Sequence, residues 1–127
     1  MDHADTARAL FDALSQTDDQ RVRDLCAPAM TVRQNGGEPM SLETLLRFNR
    51  MVHAVVADFR YEDIVCAATP TGFVEEHAVR GTLADGTALD LAACIVGDIS
   101  AGKVTMMREY VDPAAAAPML AALARRR

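Results

Sequence analysis

Apolar and polar residues alternate along three consecutive stretches between residues 72 and 112. Short connections that contain glycine, Asp85-Gly86 and Ala101-Gly102, separate these stretches. Glycine tolerates the positive φ that tight hairpin turns require, so the pattern predicts a meander of three antiparallel strands. Both faces of the predicted strands are partly apolar, and periodicity alone therefore does not decide which face belongs to the core.

A spacing of three or four residues between apolar positions predicts helices in the rest of the chain. One short helix is predicted over residues 5–14. A second begins at Thr17-Asp18-Asp19-Gln20, which reads as a capping box, and stops at Ala27-Pro28. A C-terminal helix opens at Asp112-Pro113, and we expect Pro118 to kink or restart it.

The longest predicted helix runs from Leu42 to about Ala57, with Ser41 as its N-cap. Two further strands are predicted over residues 30–35 and 59–66. One side of the long helix is apolar and must cover another part of the core, through Leu42, Leu45, Leu46, Met51, Val52, Val55 and Val56.

The order of these elements predicts an α+β fold in which helices cover one face of a curved antiparallel sheet. The length of 127 residues fits a single domain, residues 1–127, with a substantial core. Because the meander is apolar on both faces, its second face needs a partner, and we expect a homodimer joined through that face.

Composition narrows the classes of partner and location. The formal net charge is −5, with a pI near 5.0, whereas binding to a nucleic-acid backbone requires a basic face. No apolar run is long enough to span a membrane, and the N-terminus lacks the features of a signal peptide. We therefore expect a cytoplasmic protein that binds neither nucleic acid nor membrane.

Cysteines and histidines do not form a recognisable site in the sequence. Cys26, Cys66 and Cys94 are odd in number and far apart, which favours reduced, mostly buried thiols over a catalytic one. The three histidines show no metal-ligand spacing, so no metal and no cofactor are expected. His53 lies near the apolar side of the long helix, where a partly buried ring that bonds to a neighbour is the favoured interpretation.

Ionisable residues lie inside the predicted strands, where charge is costly to bury unless it is paired. Alternation places Glu76, Ala78 and Arg80 on one face of the first meander strand, and Glu75, His77 and Val79 on the other. Glu109 lies in the last strand. If two carboxyl groups and Arg80 share an apolar pocket, we expect one glutamate to have a raised pKa or to be held by the arginine.

The closing strand carries the most specific motif, Gly102-Lys103-Val104 followed by Arg108-Glu109-Tyr110-Val111-Asp112. In this motif and in its order of elements the chain resembles the SnoaL-like branch of the nuclear-transport-factor-two-like superfamily, which also includes ketosteroid isomerases and limonene epoxide hydrolases. The resemblance implies a cone-shaped sheet, or α+β barrel, with helices on its concave side around a deep apolar pocket, usually in a homodimer.

The catalytic residues of these relatives are only partly retained. The positions of the ketosteroid isomerase base and proton donors correspond to Gln34, Ala93 and Leu10, so steroid isomerase chemistry is not expected. Of the limonene epoxide hydrolase residues, the resemblance implies that Asn35 is kept, that Glu76-His77-Ala78 replaces an Arg-x-Asp, and that Glu109 replaces an aspartate.

In this register the resemblance implies a pocket with Glu76, Glu109 and Arg80 as catalytic residues. The expected substrate contacts are Gln34, Asn35, Ala78 and Met107. His77 would then face the subunit interface, an orientation favoured over the alternative in which His77 is a base in the pocket. A purely structural interpretation remains open, with Glu76 and Arg80 as a pair at the rim and Glu109 at the dimer contact.

Three functions are compatible with these predictions. The first is an enzyme that acts on a small apolar molecule by acid–base chemistry, as an isomerase, cyclase, dehydratase or epoxide hydrolase. The second is a non-catalytic domain of the same fold that binds a small molecule. The third is an interaction or scaffold protein, which the absence of an appended module in the sequence mildly disfavours.

Overall fold

The computed structural model describes residues 1–126 and has four helices and six strands in this range. The helices are α1 (His3–Ser15), α2 (Asp19–Leu25), α3 (Leu42–Val55) and α4 (Pro113–Arg125). The strands are β1 (Cys26–Gln34), β2 (Met40–Ser41), β3 (Val56–Thr69), β4 (Gly72–Leu83), β5 (Ala88–Ser100) and β6 (Lys103–Val111).

All six strands form one curved, unclosed sheet in the order β2-β1-β6-β5-β4-β3. The predicted α+β class and the antiparallel β4-β5-β6 meander are confirmed. The sheet differs from the prediction in two respects. It is not closed into a barrel, and β1 runs parallel to β6. That pairing joins segments far apart in the chain, which local periodicity does not report.

Strand β3 bends at two irregularities in its pairing with β4. They lie between Ala57 and Arg60 and between Glu62 and Val65. Within them Asp58 and Asp63 adopt a positive φ of 55°, which aspartate tolerates better than most residues. Bulges of this kind increase local twist and bend a strand, and they contribute to the curvature of the sheet.

Helix starts largely follow the predicted caps. The Ser41 and Asp112 side chains accept hydrogen bonds from the first turns of α3 and α4, as predicted. The cap predicted for α2 is wrong. Asp18 accepts from the Arg21 amide, whereas Thr17 has a φ of 53° and lies outside the helix. The predicted restart of the C-terminal helix at Pro118 is also wrong, because α4 continues through that residue.

The helices cover one face of the sheet, which we call the inner face. The core between α1, α2 and this face includes Leu10, Phe73, Ile95 and Val104. A second cluster joins α3 and α4 to β4 and β5, and it includes Val52, Val79, Leu91, Met119 and Leu123. Most of the predicted apolar side of α3 is buried, whereas Val55 is half-buried and Met51 is 42% exposed. Val56, predicted as part of the helix, is buried as the first residue of β3. None of the helices within residues 1–126 is long and apolar enough to cross a membrane.

Candidate active site

A cavity of about 190 Å³ lies between the inner face of the sheet and helices α1, α3 and α4. We call it the inner cavity. Its wall is mostly apolar and includes Phe11, Leu14, Val52, Phe59, Met107 and Met119. Its polar wall residues are Gln34, Asn35, Asn49, Tyr61, His77 and Glu109. A few polar groups in an apolar pocket are typical of sites for small molecules.

Strand β4 turns Glu75, His77 and Val79 towards the inner face, while Glu76 is exposed on the opposite, outer face. The predicted orientation of this strand, with Glu76, Ala78 and Arg80 in the pocket, is therefore wrong. So is the prediction that His77 faces a subunit interface, since the helices cover it. The orientation follows from the larger apolar side chains of β4. Phe73 and Val79 share the face of His77 and bury more apolar surface than Val74 and Ala78 on the other face.

Arg80 lies on the outer face among three carboxylates. It pairs with Asp63 at 2.9 Å, Asp90 at 3.2 Å and Glu62 at 3.4 Å. The hydrogen bond that the Arg80 guanidinium donates to Asp63 is the main reason why its pKa is raised. Arg80 is thus engaged in an ion-pair network outside the cavity. Ala78 lies on the same outer face, opposite Glu62 and Ala92 in the neighbouring strands.

Glu75 and His77 form a buried hydrogen bond. His77 Nδ1 lies 2.7 Å from Glu75 Oε2, and the two side chains are only 2% and 1% exposed. Because a carboxylate can only accept, Nδ1 carries the hydrogen and Nε2 is the ring atom that remains for other contacts. The ring is fixed by Tyr61 and Phe11, whose ring centroids lie 4.3 and 5.0 Å away. This arrangement holds the imidazole in one orientation at the cavity wall.

Glu109 faces the same cavity from β6. It lies in one cross-strand row with Glu75, Ile95 and Gln34, whose positions are paired in register across β4, β5, β6 and β1. Gln34 Nε2 donates to Glu109 Oε1 at 3.3 Å. Burial raises the pKa of the Glu109 carboxyl, an effect that His77 and the bond from Gln34 partly oppose. Glu109 therefore has the character of a proton donor in an apolar site.

Of the predicted substrate contacts, Gln34, Asn35 and Met107 line the inner cavity and Ala78 does not face it. Asn35 has a structural task as well. Its backbone adopts a φ of 51°, its amide donates to the Glu109 carbonyl at 2.8 Å, and its side-chain Oδ1 accepts from the Val111 amide at 3.0 Å. These bonds tie the end of β1 to β6 at the cavity wall.

Two residues that sequence reasoning did not assign to the site are Glu75 and Tyr61. Tyr61 is partly buried at the wall of the inner cavity. Desolvation, together with the charges of Glu109 and Glu75, raises the pKa of its phenol, so that it stays protonated as a hydrogen-bond donor. The signal for Glu75 was present in the sequence as the alternative face of β4. His53, by contrast, is confirmed as a partly buried ring satisfied by a neighbour, with Nε2 at 3.1 Å from the Leu14 carbonyl.

The described residues contain no group of three or more histidine, cysteine or acidic side chains arranged to hold a metal ion. The polar groups that line the inner cavity are one carboxyl group, an imidazole, a phenol and amides, and the imidazole is bonded in turn to the carboxylate of Glu75. Such a set can exchange protons and hydrogen bonds with a ligand.

Solved structures of the same fold were found by structural comparison. Wild-type IdmH of Streptomyces antibioticus, a candidate polyketide cyclase, matches with a TM-score of 0.79 at 19% identity, over 95% of this chain and 99% of that chain. A Catenulispora acidiphila protein with a ketosteroid isomerase-like fold matches at 0.75 and 13% identity, over 87% of both chains. An LEH-like epoxide hydrolase of M. tuberculosis matches at 0.69 and 17% identity, over 97% of this chain and 90% of that one. These likenesses show the fold.

The sequence itself identifies the family. A search among curated proteins gave no match by sequence. The family model of the SnoaL-like domain, however, matches residues 7–107, which is most of the chain. The chain therefore belongs to the SnoaL-like domain family.

Proposed function

We propose that this protein is an enzyme that acts on a small, mostly apolar molecule by acid–base catalysis. His77 is the base, Glu109 is the acid, and Glu75 positions His77. The observation that carries the proposal is the buried Glu75–His77 hydrogen bond at the wall of an apolar cavity that also contains a carboxyl group of raised pKa. Two titratable groups in different environments of one pocket are the arrangement that acid–base enzymes use.

In the proposed chemistry His77 accepts one proton and Glu109 donates one. His77 Nε2 removes a proton from a carbon next to a carbonyl group, or from a water that attacks an epoxide, and Glu75 stabilises the imidazolium that forms. Glu109 donates its proton to the carbonyl or epoxide oxygen as negative charge develops there. The Tyr61 phenol is a second donor to that oxygen. In the carbonyl branch His77 then returns its proton to a carbon of the product, and the enol oxygen returns its proton to Glu109. In the epoxide branch the water adds to the product, and the proton on His77 passes to Glu109. Both groups are thereby restored.

The size and character of the cavity support a small substrate with few polar atoms. The volume of about 190 Å³ is below the usual range of about 300–1,000 Å³ for ligand sites, so the mainly apolar cavity holds only a compact carbonyl or epoxide compound. Candidate polyketide cyclases and an LEH-like epoxide hydrolase share the fold, which is compatible with both branches of this chemistry. The fold alone does not choose between them, since it supports many reactions.

The alternative function is a small-molecule binding domain without catalysis. One observation favours it: the polar groups of the cavity already bond to one another, Gln34 to Glu109 and Glu75 to His77. In that case the same groups orient a ligand by hydrogen bonds and move no proton.

Proton transfer can be tested before the natural substrate is known. We would incubate the protein in D₂O with a panel of enones, diketones and hydroxy-ketones and follow deuterium incorporation next to the carbonyl by NMR. Terpenoid epoxides would be tested in parallel for hydrolysis. We expect exchange or turnover of at least one compound, reduced about 10²- to 10⁴-fold in Glu109→Gln and in His77→Gln.

Glu76→Gln is the matched control, since it makes the same substitution one residue from Glu75 but on the exposed outer face. It should react at the wild-type rate. If Glu109→Gln and His77→Gln both retain the wild-type rate, the two groups are not catalytic. If the wild type binds compounds of the panel but converts none, the binding-domain function replaces the enzyme.

A further inference from the structure

A second, larger cavity lies on the other side of the Glu75–His77 pair. It has a volume of about 610 Å³ and lies between α1, the start of α2 and strand β3. We call it the outer groove, although it lies on the helical side of the sheet and not on the outer face. Its lining includes Phe11, Phe59, Tyr61 and Ile64, with Glu75 also in its wall. A cavity of this size is within the usual range for ligand sites, which is about 300–1,000 Å³.

Glu75 lines the outer groove and also bonds to His77, which lines the inner cavity. Its Oε2 holds His77 Nδ1, whereas Oε1, within residues 1–126, is buried without any hydrogen-bond partner. Leaving a buried carboxylate oxygen unpaired is costly, and a donor that reaches it from the groove relieves that cost. The side chain is 1% exposed, so only a narrow group can reach the oxygen.

The groove wall limits the chemistry of such a donor. Arg8, Arg21 and Arg60 line it, each in an ion pair with an acidic neighbour but roughly half exposed. Asp12 also lies in the wall, and each guanidinium group keeps N–H donors that its ion pair does not use. A neutral hydroxyl group satisfies Oε1 without carrying positive charge, and a carboxylate at the opposite end of the ligand finds unused guanidinium N–H donors.

We propose that the outer groove is a separate binding site for a hydroxylated aromatic or polycyclic acid. The hydroxyl group donates to Glu75 Oε1, and the rings pack on Phe11, Phe59 and Tyr61. The acidic end lies among the arginines. The site does not require the acid–base function proposed above. It adjoins that site, because both use the Glu75 side chain and share the three aromatic residues as a wall.

The test uses 6-hydroxy-2-naphthoate as a fluorescent probe, with 2-naphthoate as the matched compound that lacks the hydroxyl group. We expect saturable binding of the hydroxylated probe to the wild type. We also expect about ten- to hundredfold weaker binding of 2-naphthoate, which is the range for losing one hydrogen bond to a charged group. Absence of saturable binding, or equal affinity for both compounds, would overturn the proposal.

Two variants locate the bound probe. Ala9→Phe fills the outer groove, which Ala9 lines, and should weaken the binding of 6-hydroxy-2-naphthoate at least tenfold. Leu120→Phe makes a similar change at the inner cavity, where Leu120 is half exposed, and should leave the affinity unchanged. The opposite pattern would place the probe in the inner cavity and overturn the proposal.

The test is independent of catalysis. Glu109→Gln should bind 6-hydroxy-2-naphthoate as the wild type does, whether or not Glu109 transfers a proton. An affinity lost in this variant would contradict a separate site. The comparison of the two naphthoates on the wild-type protein does not depend on any variant folding.

Discussion

The carboxyl group of Glu109 is held in an environment that favours its neutral form. Burial raises its pKa above the ordinary value of 4.5, while His77 and the hydrogen bond from Gln34 act in the opposite direction with smaller effect. The native state therefore binds a proton at Glu109 in a pH range where the unfolded chain has released it. Stability in that range decreases as the pH rises.

Because the wild type loses stability as the pH rises, Glu109→Gln should gain stability relative to it. Glutamine keeps the shape of the side chain but has no proton to lose, so the variant avoids the cost of ionising a buried carboxyl group. Its melting temperature relative to wild type should increase as the pH is raised from about 4.5 through the raised pKa of the native carboxyl. Thermal melts between pH 4 and pH 8 measure the difference.

Glu38→Gln provides the comparison, because Glu38 is exposed in the connection between β1 and β2. Its melting temperature relative to wild type should change little over the same pH range. A difference for Glu109→Gln that stays constant or declines towards pH 8 would mean that the native site prefers the charged carboxylate.

Glu75 and Glu76 illustrate what the sequence could not decide. The two residues are identical in type and adjacent in a strand whose two faces are both partly apolar. A shift of one residue in register exchanges every inward side chain with an outward one. Our use of the family register selected Glu76, whereas the burial of Phe73 and Val79 selects Glu75. Glu109 could be assigned to the cavity because the closing strand carries a more specific motif. Gln34 could be assigned to it because the resemblance placed site residues in the first strand.

At the level of elements, Gly97 of β5 lies opposite Phe73 of β4, and the Phe73 ring packs over it. A Cβ atom at this position would lie 2.2 Å from Cε1 of Phe73, which is fully buried. The aromatic ring thus occupies the space that any larger residue would need. Glycine here is a packing requirement and not a turn signal.

Gly97→Ala should therefore destabilise the protein by about 1 to 3 kcal/mol, the range for overpacking a core. Urea denaturation measures the change in the free energy of unfolding. Ser100→Ala, at the exposed end of the same strand, is the control and should change stability by less than about 0.5 kcal/mol. Equal stability of Gly97→Ala and wild type would show that Phe73 can move aside.

Helix α3 closes the helical side of the inner cavity through one apolar face. Leu46 on this face is buried, whereas Met51 is 42% exposed on the other side. Leu46→Ala should cost about 2 to 5 kcal/mol, because it removes buried methyl groups and leaves a cavity. Met51→Ala should be nearly neutral. Thermal or urea unfolding of the two variants tests this orientation, and equal effects would contradict it.

Local sequence patterns predicted most of the helices and strands, but not the pairing of strands that are far apart in the chain. The hairpins at Gly86 and Gly102 and the caps at Ser41 and Asp112 depend on a few neighbouring residues, so the sequence reports them directly. The parallel pairing of β1 with β6 joins residues about 75 positions apart, as in the Gln34–Glu109 contact. No local period records such a pairing, and it is this pairing that brings Gln34 to the candidate site.

On the scale of the whole molecule, the two faces of the sheet are unequally covered. Helices pack on the inner face, while the outer face carries a cross-strand row of Val65, Glu76, Cys94 and Tyr110. Val65 is 62% exposed and Tyr110 is 48% exposed. Val74 and Val96 extend the apolar surface in the next row. Exposed large apolar side chains grouped on one sheet face and bordered by charged ones are typical of an interface.

We predict that this outer face joins two copies of the chain in a homodimer. A symmetric contact brings the same rows of both copies together and should bury about 800 Å² or more per partner. Light scattering coupled to size exclusion should give twice the chain mass at micromolar concentration. Val65→Glu places a second carboxylate directly opposite Glu76 on this face and should yield monomers, because burying unpaired like charges is costly. Met51→Glu, which adds the same charge to an exposed position on the helical side, should remain dimeric. A wild-type monomer, or a Val65→Glu variant that stays dimeric, would place the contact elsewhere or remove it.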